Sequence, residues 1–413
     1  MPATPDLAAS ATTNGHAAVP DAPFEAPDYY LLDDFLSDEE KAIRADVRDF
    51  VTREVVPIIE EHAQAMTFPR HLVPEFGRLG LLGPHLPKEY GCGGHSNMVY
   101  GLMMQEIERG DSGLRSFCSV QGSLVMYPIF RYGSEEQKQH WLPRLAKAEA
   151  IGCFALTEPD HGSDPAGMET KAVRDGDEYV LTGHKRWSTN ASEADVAVVW
   201  AKDDDGQIGG FLVELDRPGV ETPRIMDKWS LRAAITSEVI LKDVRIPASN
   251  RLPEAKGLKA PLSCLTQARY GIAWGVVGAA MACYHAALHH SQTRIQFDRP
   301  IGGFQLIQAR LADMVTEITK AQLLNWRLAK MKDAGTMRPQ HVSMAKRNNC
   351  QMALEVARSA RQVLGGNGVL GQYPVMRHMM NLESVVTYEG THEIHTLVVG
   401  QAVTGLNAFQ YFA

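Results

Sequence analysis

Several things are missing from this 413-residue sequence, and each absence excludes something. No C-x-x-C pair occurs. The six cysteines (Cys92, Cys118, Cys153, Cys264, Cys283, Cys350) are scattered, so they read as reduced, buried small hydrophobes and not as a disulfide frame or zinc cage. No metal site is expected. No run reaches the ~18–20 uninterrupted apolar residues of a membrane helix, so no membrane span is expected. Positive charge is not in excess: Lys plus Arg number 41 against 49 Asp plus Glu, a net charge of −8. That balance argues against nucleic acid as a partner. No Lys or Arg precedes Lys41, and the first stretch is rich in Ala, Pro and Thr. A secretory signal needs a positive start and an apolar run, and a mitochondrial transit peptide needs arginines. Residues 1–34 are therefore expected to form a disordered leader, and the protein to be cytoplasmic. What is present, 45% hydrophobic and 22% charged residues, suits a large globular chain of two or three domains.

The organisation changes twice along the chain. Ile43, Val47, Phe50, Val51 and Val55 recur at helical steps after Ser37, with Glu39 and Glu40 near the positive end of the helix dipole. Helices are also expected near Met98–Arg109 and Glu135–Leu145, giving a helical domain over 35–152. The segments Glu178–Leu181, Val196–Ala201, Gly210–Leu215 and Glu238–Leu241 are short β-type runs separated by turn residues such as Asp175-Gly176-Asp177. They predict an antiparallel, barrel-like β domain over 153–255. Helical periodicity then returns over 256–413, where Ile307, Leu311, Met314, Ile318 and Ala321 mark one face. Stretches near 260–294, 305–334, 340–364 and 393–407 predict a four-helix bundle. The fold class is thus α+β.

The motifs vary in weight. Gly366-Asn367-Gly368-Val369-Leu370-Gly371 matches G-x-G-x-x-G but follows a helical segment with no preceding strand, so a helix-ending turn is the better reading. His392 and His395 lie only three apart, which is not the zinc spacing H-E-x-x-H. Tyr388-Glu389-Gly390-Thr391 has two readings: a helix cap, or a general base whose carboxylate is desolvated while Gly390 lets a substrate approach. Leu156-Thr157-Glu158-Pro159 with Gly162-Ser163-Asp164 is either a capped surface loop or a cradle for a ring system and its phosphates. Arg115, in an apolar neighbourhood, is either a surface ion-pair partner or a fork for a carboxylate.

Together these motifs resemble the acyl-CoA dehydrogenase family, most closely its glutaryl-CoA branch, from about residue 35 to the carboxyl end. Arg269-Tyr270-Gly271-Ile272-Ala273-Trp274-Gly275, Gln362-Val363-Leu364-Gly365-Gly366-Asn367-Gly368 and Thr387-Tyr388-Glu389-Gly390-Thr391 carry the resemblance along with the two segments after Leu156. It implies a helical domain, a β-barrel-like domain and a four-helix bundle, assembled as a homotetramer with one FAD per subunit. Electrons would pass to an electron-transfer flavoprotein.

The resemblance also implies residue roles. Glu389 matches the base that removes the α-proton of the acyl thioester, after which the β-hydride passes to the flavin. The Glu389 amide and a flavin hydroxyl would hold the thioester oxygen. Phe154, Leu156, Thr157, Gly162 and Ser163 match a flavin loop, with Ser163 also near the substrate's pantetheine arm. Trp187, Ser188 and Thr189 match a second flavin segment. Arg294, Phe297, Gln305, Gln362 and Gly366 match positions that reach a neighbouring subunit's FAD, and Thr391, Glu393 and Phe409 match further flavin positions. Arg269 and Gly390 match substrate positions. Arg115, Ser116 and Ser119 match those that receive a distal carboxylate, and a monocarboxylic chain is expected to leave Arg115 unpaired. Glu108 and Tyr388 match the decarboxylating enzymes, so the implied reaction converts glutaryl-CoA to crotonyl-CoA and CO2. Ser188, Glu393 and Gly122 depart from the family's usual residues without removing a chemical role. The rival readings are a dehydrogenase or oxidase for another short acyl chain, a non-catalytic binding member, and a glutaryl enzyme that does not decarboxylate.

Overall fold

The computed structural model describes residues 23–409. The first helical region comprises α1 (Asp38–Phe50), α2 (Ile59–Ala65), α3 (Val73–Arg78), α4 (Asn97–Gly110), α5 (Ser112–Ser119), α6 (Tyr127–Tyr132) and α7 (Glu135–Ala146). α1 begins at Ser37 as expected. The Ser37 hydroxyl accepts from the Glu40 N–H at 3.2 Å, and the Glu40 carboxylate accepts from the Ser37 N–H at 2.9 Å, a reciprocal cap. α5 starts from Asp111, whose Oδ1 accepts from the Gly113 N–H at 2.6 Å, and continues through a wider π turn (Val120–Met126) into α6. That long helical stretch was not among the sequence expectations. Residues Ser112–Met126 are all buried, so no polar face exists to reveal a period.

The sheet contains β1 (Gly152–Ala155), β2 (Lys171–Asp175), β3 (Glu178–Thr189), β4 (Val196–Lys202), β5 (Ile208–Glu214), β6 (Val220–Glu221) and β7 (Thr236–Pro247), in the order β1-β4-β2-β3-β7-β6 with β5 also on β4. Most pairings are antiparallel, as expected. The exceptions both involve β4, which pairs in parallel with β1 and, at Lys171 opposite Lys202, with β2; β1 was not among the expected strands. Its four residues are all buried and show no alternation to read. The register of β3 on β7 shifts between Lys185 and Ser188, and this bulge carries Trp187 with φ +65°.

The bundle holds α8 (Lys259–Thr293), a small hairpin of β8 (Ile295–Gln296) and β9 (Arg299–Pro300), then α9 (Gln305–Asp333), α10 (Pro339–Val363), α11 (Val375–Val385) and α12 (His392–Thr404). The expected four helices are present, and α11 makes a fifth. α8 contains a window apolar and long enough to cross a membrane, but that window is buried inside the protein. It packs on α4 through Gly271 and Gly278: a Cβ at Gly278 would stand 1.8 Å from the Gln105 carbonyl. Asp111 ties the two helical regions together. Its Oδ2 accepts from Arg377 Nη1 at 2.6 Å and from Asn381 Nδ2 at 2.8 Å, both on α11.

The expected disordered leader needs one correction. Residues 1–22 lie outside the described residues, but 23–34 are placed against the helices. Phe24 lies under the Arg109 guanidinium, 4.4 Å from its carbon to the ring centre, and Asp33 accepts from Arg44 at 2.5 Å. An aromatic over a buried cation holds this segment in place. All six cysteines are buried and unpaired.

Candidate active site

Glu389 stands in the turn between α11 and α12 with φ +52°, and Gly390 follows at φ +95°. Two cations, half-buried Arg269 and buried Lys346, hold this turn by its carbonyls. Arg269 Nε, from α8, donates to the Glu389 carbonyl at 2.7 Å. Lys346 Nζ, from α10, donates to the Tyr388 carbonyl at 2.6 Å and to the Gly390 carbonyl at 2.7 Å. Gly390 cannot be replaced freely, because a Cβ there would meet His395 Nε2 at 2.8 Å. Glu389 Oε2 is out of solvent with no hydrogen-bond partner among the described residues. Burial pushes the Glu389 carboxyl up from its ordinary range, and Arg115, Lys346 and Arg269 limit the rise. A desolvated carboxylate with a free oxygen is a competent proton acceptor.

A second buried group adjoins it. Arg115 Nε donates to Glu108 Oε2 at 2.6 Å, with both side chains fully buried. Arg115 Nη2 donates to the Tyr388 hydroxyl. Arg115 Nη1 and Glu108 Oε1 have no hydrogen-bond partner among the described residues. The expectation that Arg115 would stand unpaired without a distal carboxylate is therefore corrected: Glu108 already neutralises it, and one nitrogen remains to receive a ligand. Gly275 on α8 makes the room, since a Cβ there would sit 2.0 Å from Glu108 Oε2 and 3.2 Å from Arg115 Cδ. Ser116 and Ser119 are buried on the same helix as Arg115.

The loop after β1 is held from inside. Glu158 accepts from Lys185 Nζ at 2.8 Å, from the Thr170 N–H at 3.0 Å and hydroxyl at 2.6 Å, and from the Glu169 N–H at 2.6 Å. These donors hold its carboxyl down at about 2 despite burial. Phe154 and Leu156 are buried, Thr157 is half-buried, and Gly162 and Ser163 are exposed. On the neighbouring bulge the Trp187 indole is 54% exposed, while Ser188 is buried with a hydroxyl that has no partner among the described residues. Thr189 is half-buried. A large uncovered indole on a left-handed residue, beside an unsatisfied buried hydroxyl, fits an aromatic ring system with hydrogen-bonding edges.

The remaining sequence candidates are not brought to Glu389 in this single chain. Arg294, Phe297, Gln305, Gln362, Gly366 and Phe409 are exposed on the bundle, and Phe297 is 88% exposed. Thr391 caps α12 by accepting from the Ile394 N–H at 3.2 Å, with Glu393 in its first turn. Gly365–Val369 form a 3-10 turn after α10, which bears out the helix-ending reading of the glycine motif. No group of His, Cys, Asp and Glu able to hold a metal is found among the described residues. His395 is buried, with Nδ1 3.0 Å from Ser343 Oγ, and burial beside Lys346 and Arg269 pushes it down to about 3, so it is neutral.

Lys346 and His395 are the site residues that the sequence reading missed. A signal existed for the first. Val342, Ala345, Asn349 and Ala353 define the buried face of α10, and Lys346 falls on that face, where a lysine is rare unless it has partners.

The N-terminal, middle and C-terminal domain models of the acyl-CoA dehydrogenases match residues 37–149, 153–244 and 255–404. A glutaryl-CoA dehydrogenase from Mycobacterium smegmatis superposes with a TM-score of 0.90 at 55% identity, covering 92% of this chain and 98% of that one. A second glutaryl-CoA dehydrogenase structure from that organism, in complex with FADH2, gives a TM-score of 0.92 at 50% identity, covering 94% and 100%. The mitochondrial short-chain specific acyl-CoA dehydrogenase of Bos taurus is 37% identical over 369 residues, 88% of this chain and 90% of that protein.

Proposed function

This chain belongs to the acyl-CoA dehydrogenase family, and from that premise we propose that it oxidises and decarboxylates glutaryl-CoA, giving crotonyl-CoA and CO2. The observation that carries the choice of substrate is Arg115, buried beside Glu108 and Tyr388 with Nη1 unpartnered. A carboxylate at the end of a short acyl chain would satisfy that nitrogen, and a methyl terminus would not.

FAD is the family's cofactor, and when bound it accepts the β-hydrogen as hydride. The Trp187–Thr189 bulge and the Phe154–Thr157 and Gly162–Ser163 segments would hold it, with Arg294, Phe297, Gln305, Gln362, Gly366, Thr391, Glu393 and Phe409 as further contacts. In the reaction, Glu389 Oε2 takes the α-proton. The Glu389 amide donates to the thioester oxygen, where negative charge accumulates. Arg115 fixes the distal carboxylate, with Ser116 and Ser119 nearby. Once the chain is unsaturated, the bond to that carboxylate breaks and CO2 leaves. Its electron pair passes into the conjugated thioester, and a proton returns to the γ-carbon.

Mass spectrometry of the products from glutaryl-CoA tests the proposal: crotonyl-CoA and one CO2 per turnover are expected. An unsaturated five-carbon diacid thioester as the end product would refute decarboxylation. Higher efficiency on butyryl-CoA than on glutaryl-CoA would favour the short-chain reading that the 37% identical relative offers. The same proposal includes an electron-transfer flavoprotein as acceptor and a homotetramer. The exposed Phe297, Leu306 and Val403 supply apolar surface for subunit contact. It also includes a cytoplasmic location, which rests on the lack of Lys and Arg before Lys41.

A further inference from the structure

We infer that Lys346 is a positioning residue for the reaction: by holding the carbonyls on both sides of Glu389, it aims the Glu389 peptide N–H at the thioester oxygen. The inference rests on the reading of Glu389 as the base and of its amide as an oxygen-binding donor.

The geometry carries it. Three consecutive carbonyls, those of Tyr388, Glu389 and Gly390, each end on a cation, buried Lys346 at either side and half-buried Arg269 in the middle. No cis peptide occurs among the described residues. In a trans peptide the C=O and the following N–H lie in one plane and point opposite ways. With the Tyr388 carbonyl fixed on Lys346 Nζ, the Glu389 N–H is directed away from Lys346. Among the described residues that N–H meets no backbone acceptor, so it is left for a ligand. The turn needs such restraint, because Glu389 holds a left-handed backbone that a residue with a Cβ rarely adopts. Lys346 is also chemically suited to the task. It is 1% exposed, makes no ion pair shorter than 4 Å among the described residues, and spends its donors on carbonyls. One cation on a compact ammonium can serve two acceptors at different angles, which a planar guanidinium does less well.

Lys346 also acts on Glu389 through charge, and a test has to separate the two effects. The groups whose charge bears on Glu389 come from every adjoining element: Arg115 from α5, Arg269 from α8, Lys346 and Cys350 from α10, Tyr100 from α4, and Tyr388 from its own turn. Neutral His395 from α12 lies against the same backbone. Arg115, Arg269 and Lys346 favour the ionised carboxylate.

The experiment compares the FAD-loaded wild type with Lys346→Met and Lys346→Arg, using glutaryl-CoA and butyryl-CoA across a pH series. In Lys346→Met, flavin content and KM should stay within about threefold of wild type. Its kcat should fall by roughly 10²–10³, the loss typical when one oxyanion donor is removed. The acid limb of kcat/KM should move to higher pH, because one cation facing the base is gone. In Lys346→Arg the limb should stay at its wild-type position while kcat remains at least about tenfold low, since charge is kept and two-carbonyl geometry is not. A flavin-replete Lys346→Met with kcat within threefold of wild type would overturn the inference. So would full recovery of kcat in Lys346→Arg, which would assign Lys346 to charge alone. If Lys346→Met does not fold, Lys346→Arg decides the matter by the same two readouts. A wild type active on butyryl-CoA but not on glutaryl-CoA would sink the substrate reading, and the Lys346 series would then be judged on butyryl-CoA.

Discussion

Arg115→Met separates the substrate reading from a purely structural one. Methionine keeps an unbranched side chain but removes the guanidinium, and with it two contacts, Glu108 at 2.6 Å and the Tyr388 hydroxyl, and the free Nη1 offered to a ligand. Loss of a charge-assisted contact to a distal carboxylate in a dry pocket should cost about 2–4 kcal/mol, or roughly 30- to 1000-fold in kcat/KM on glutaryl-CoA. Butyryl-CoA has no distal carboxylate and should change by only a few fold. It should not gain, because Arg115 is already neutralised by Glu108 when no second carboxylate is present. Stability should respond as well. Glu108 is fully buried, and burial already raises its carboxyl above the ordinary range. Without Arg115 it is left alone. Breaking a buried pair costs about 3–5 kcal/mol when the remaining group stays charged, and less when it takes up a proton. A carboxyl raised in the folded state contributes stability that is fully present below its unfolded pKa and lost as pH rises through the folded one. The variant's deficit in thermal stability should therefore be small near about pH 5 and grow toward neutrality. Steady-state kinetics on both thioesters at matched flavin content, with thermal melts over that range, check both parts. An equal loss on both substrates would refute the carboxylate-reading role and leave Arg115 as structure.

Three further outcomes follow from the same geometry. Glu389→Gln keeps shape but cannot accept the α-proton, so turnover should fall by at least about 10²–10⁴ while FAD is retained; near-normal turnover would mean another base. Gly275→Ala puts a Cβ 2.0 Å from Glu108 Oε2, and should destabilise the protein by about 1–3 kcal/mol in denaturant titration; an unchanged midpoint would show that the buried pair can move. Glu158→Gln removes the partner of Lys185 at 2.8 Å and should cost about 3–5 kcal/mol at neutral pH. Because Glu158 is held down at about 2, its contribution is fully present above the unfolded carboxylate pKa and is lost as pH falls from there toward about 2. Wild type and variant should converge in acid, and parallel stability curves would contradict this account.

The sequence by itself determined the parts whose cause is local. The Ser37 cap, the helices α4, α7, α8, α9, α10 and α12, and the β runs of the middle region follow from periodicity and turn chemistry between near neighbours, so they could be read in order along the chain. Glu389 and Arg115 were also legible, as residue types out of keeping with their surroundings. Only the tertiary structure decided what those residues face. Glu108 and Arg115 are seven positions apart, but Tyr388 joins them from 273 positions away, and no window of sequence contains that pairing. The pairing of Arg115 with Glu108, and the glycine at 275 that leaves space for it, depend on how closely α8 approaches α4. The restraint on the Glu389 turn comes from Arg269 and Lys346 on two other helices. β1 and the stretch Ser112–Met126 were missed for a related reason: they are buried all round, and burial on every side erases the alternation of polar and apolar residues that marks an element in sequence.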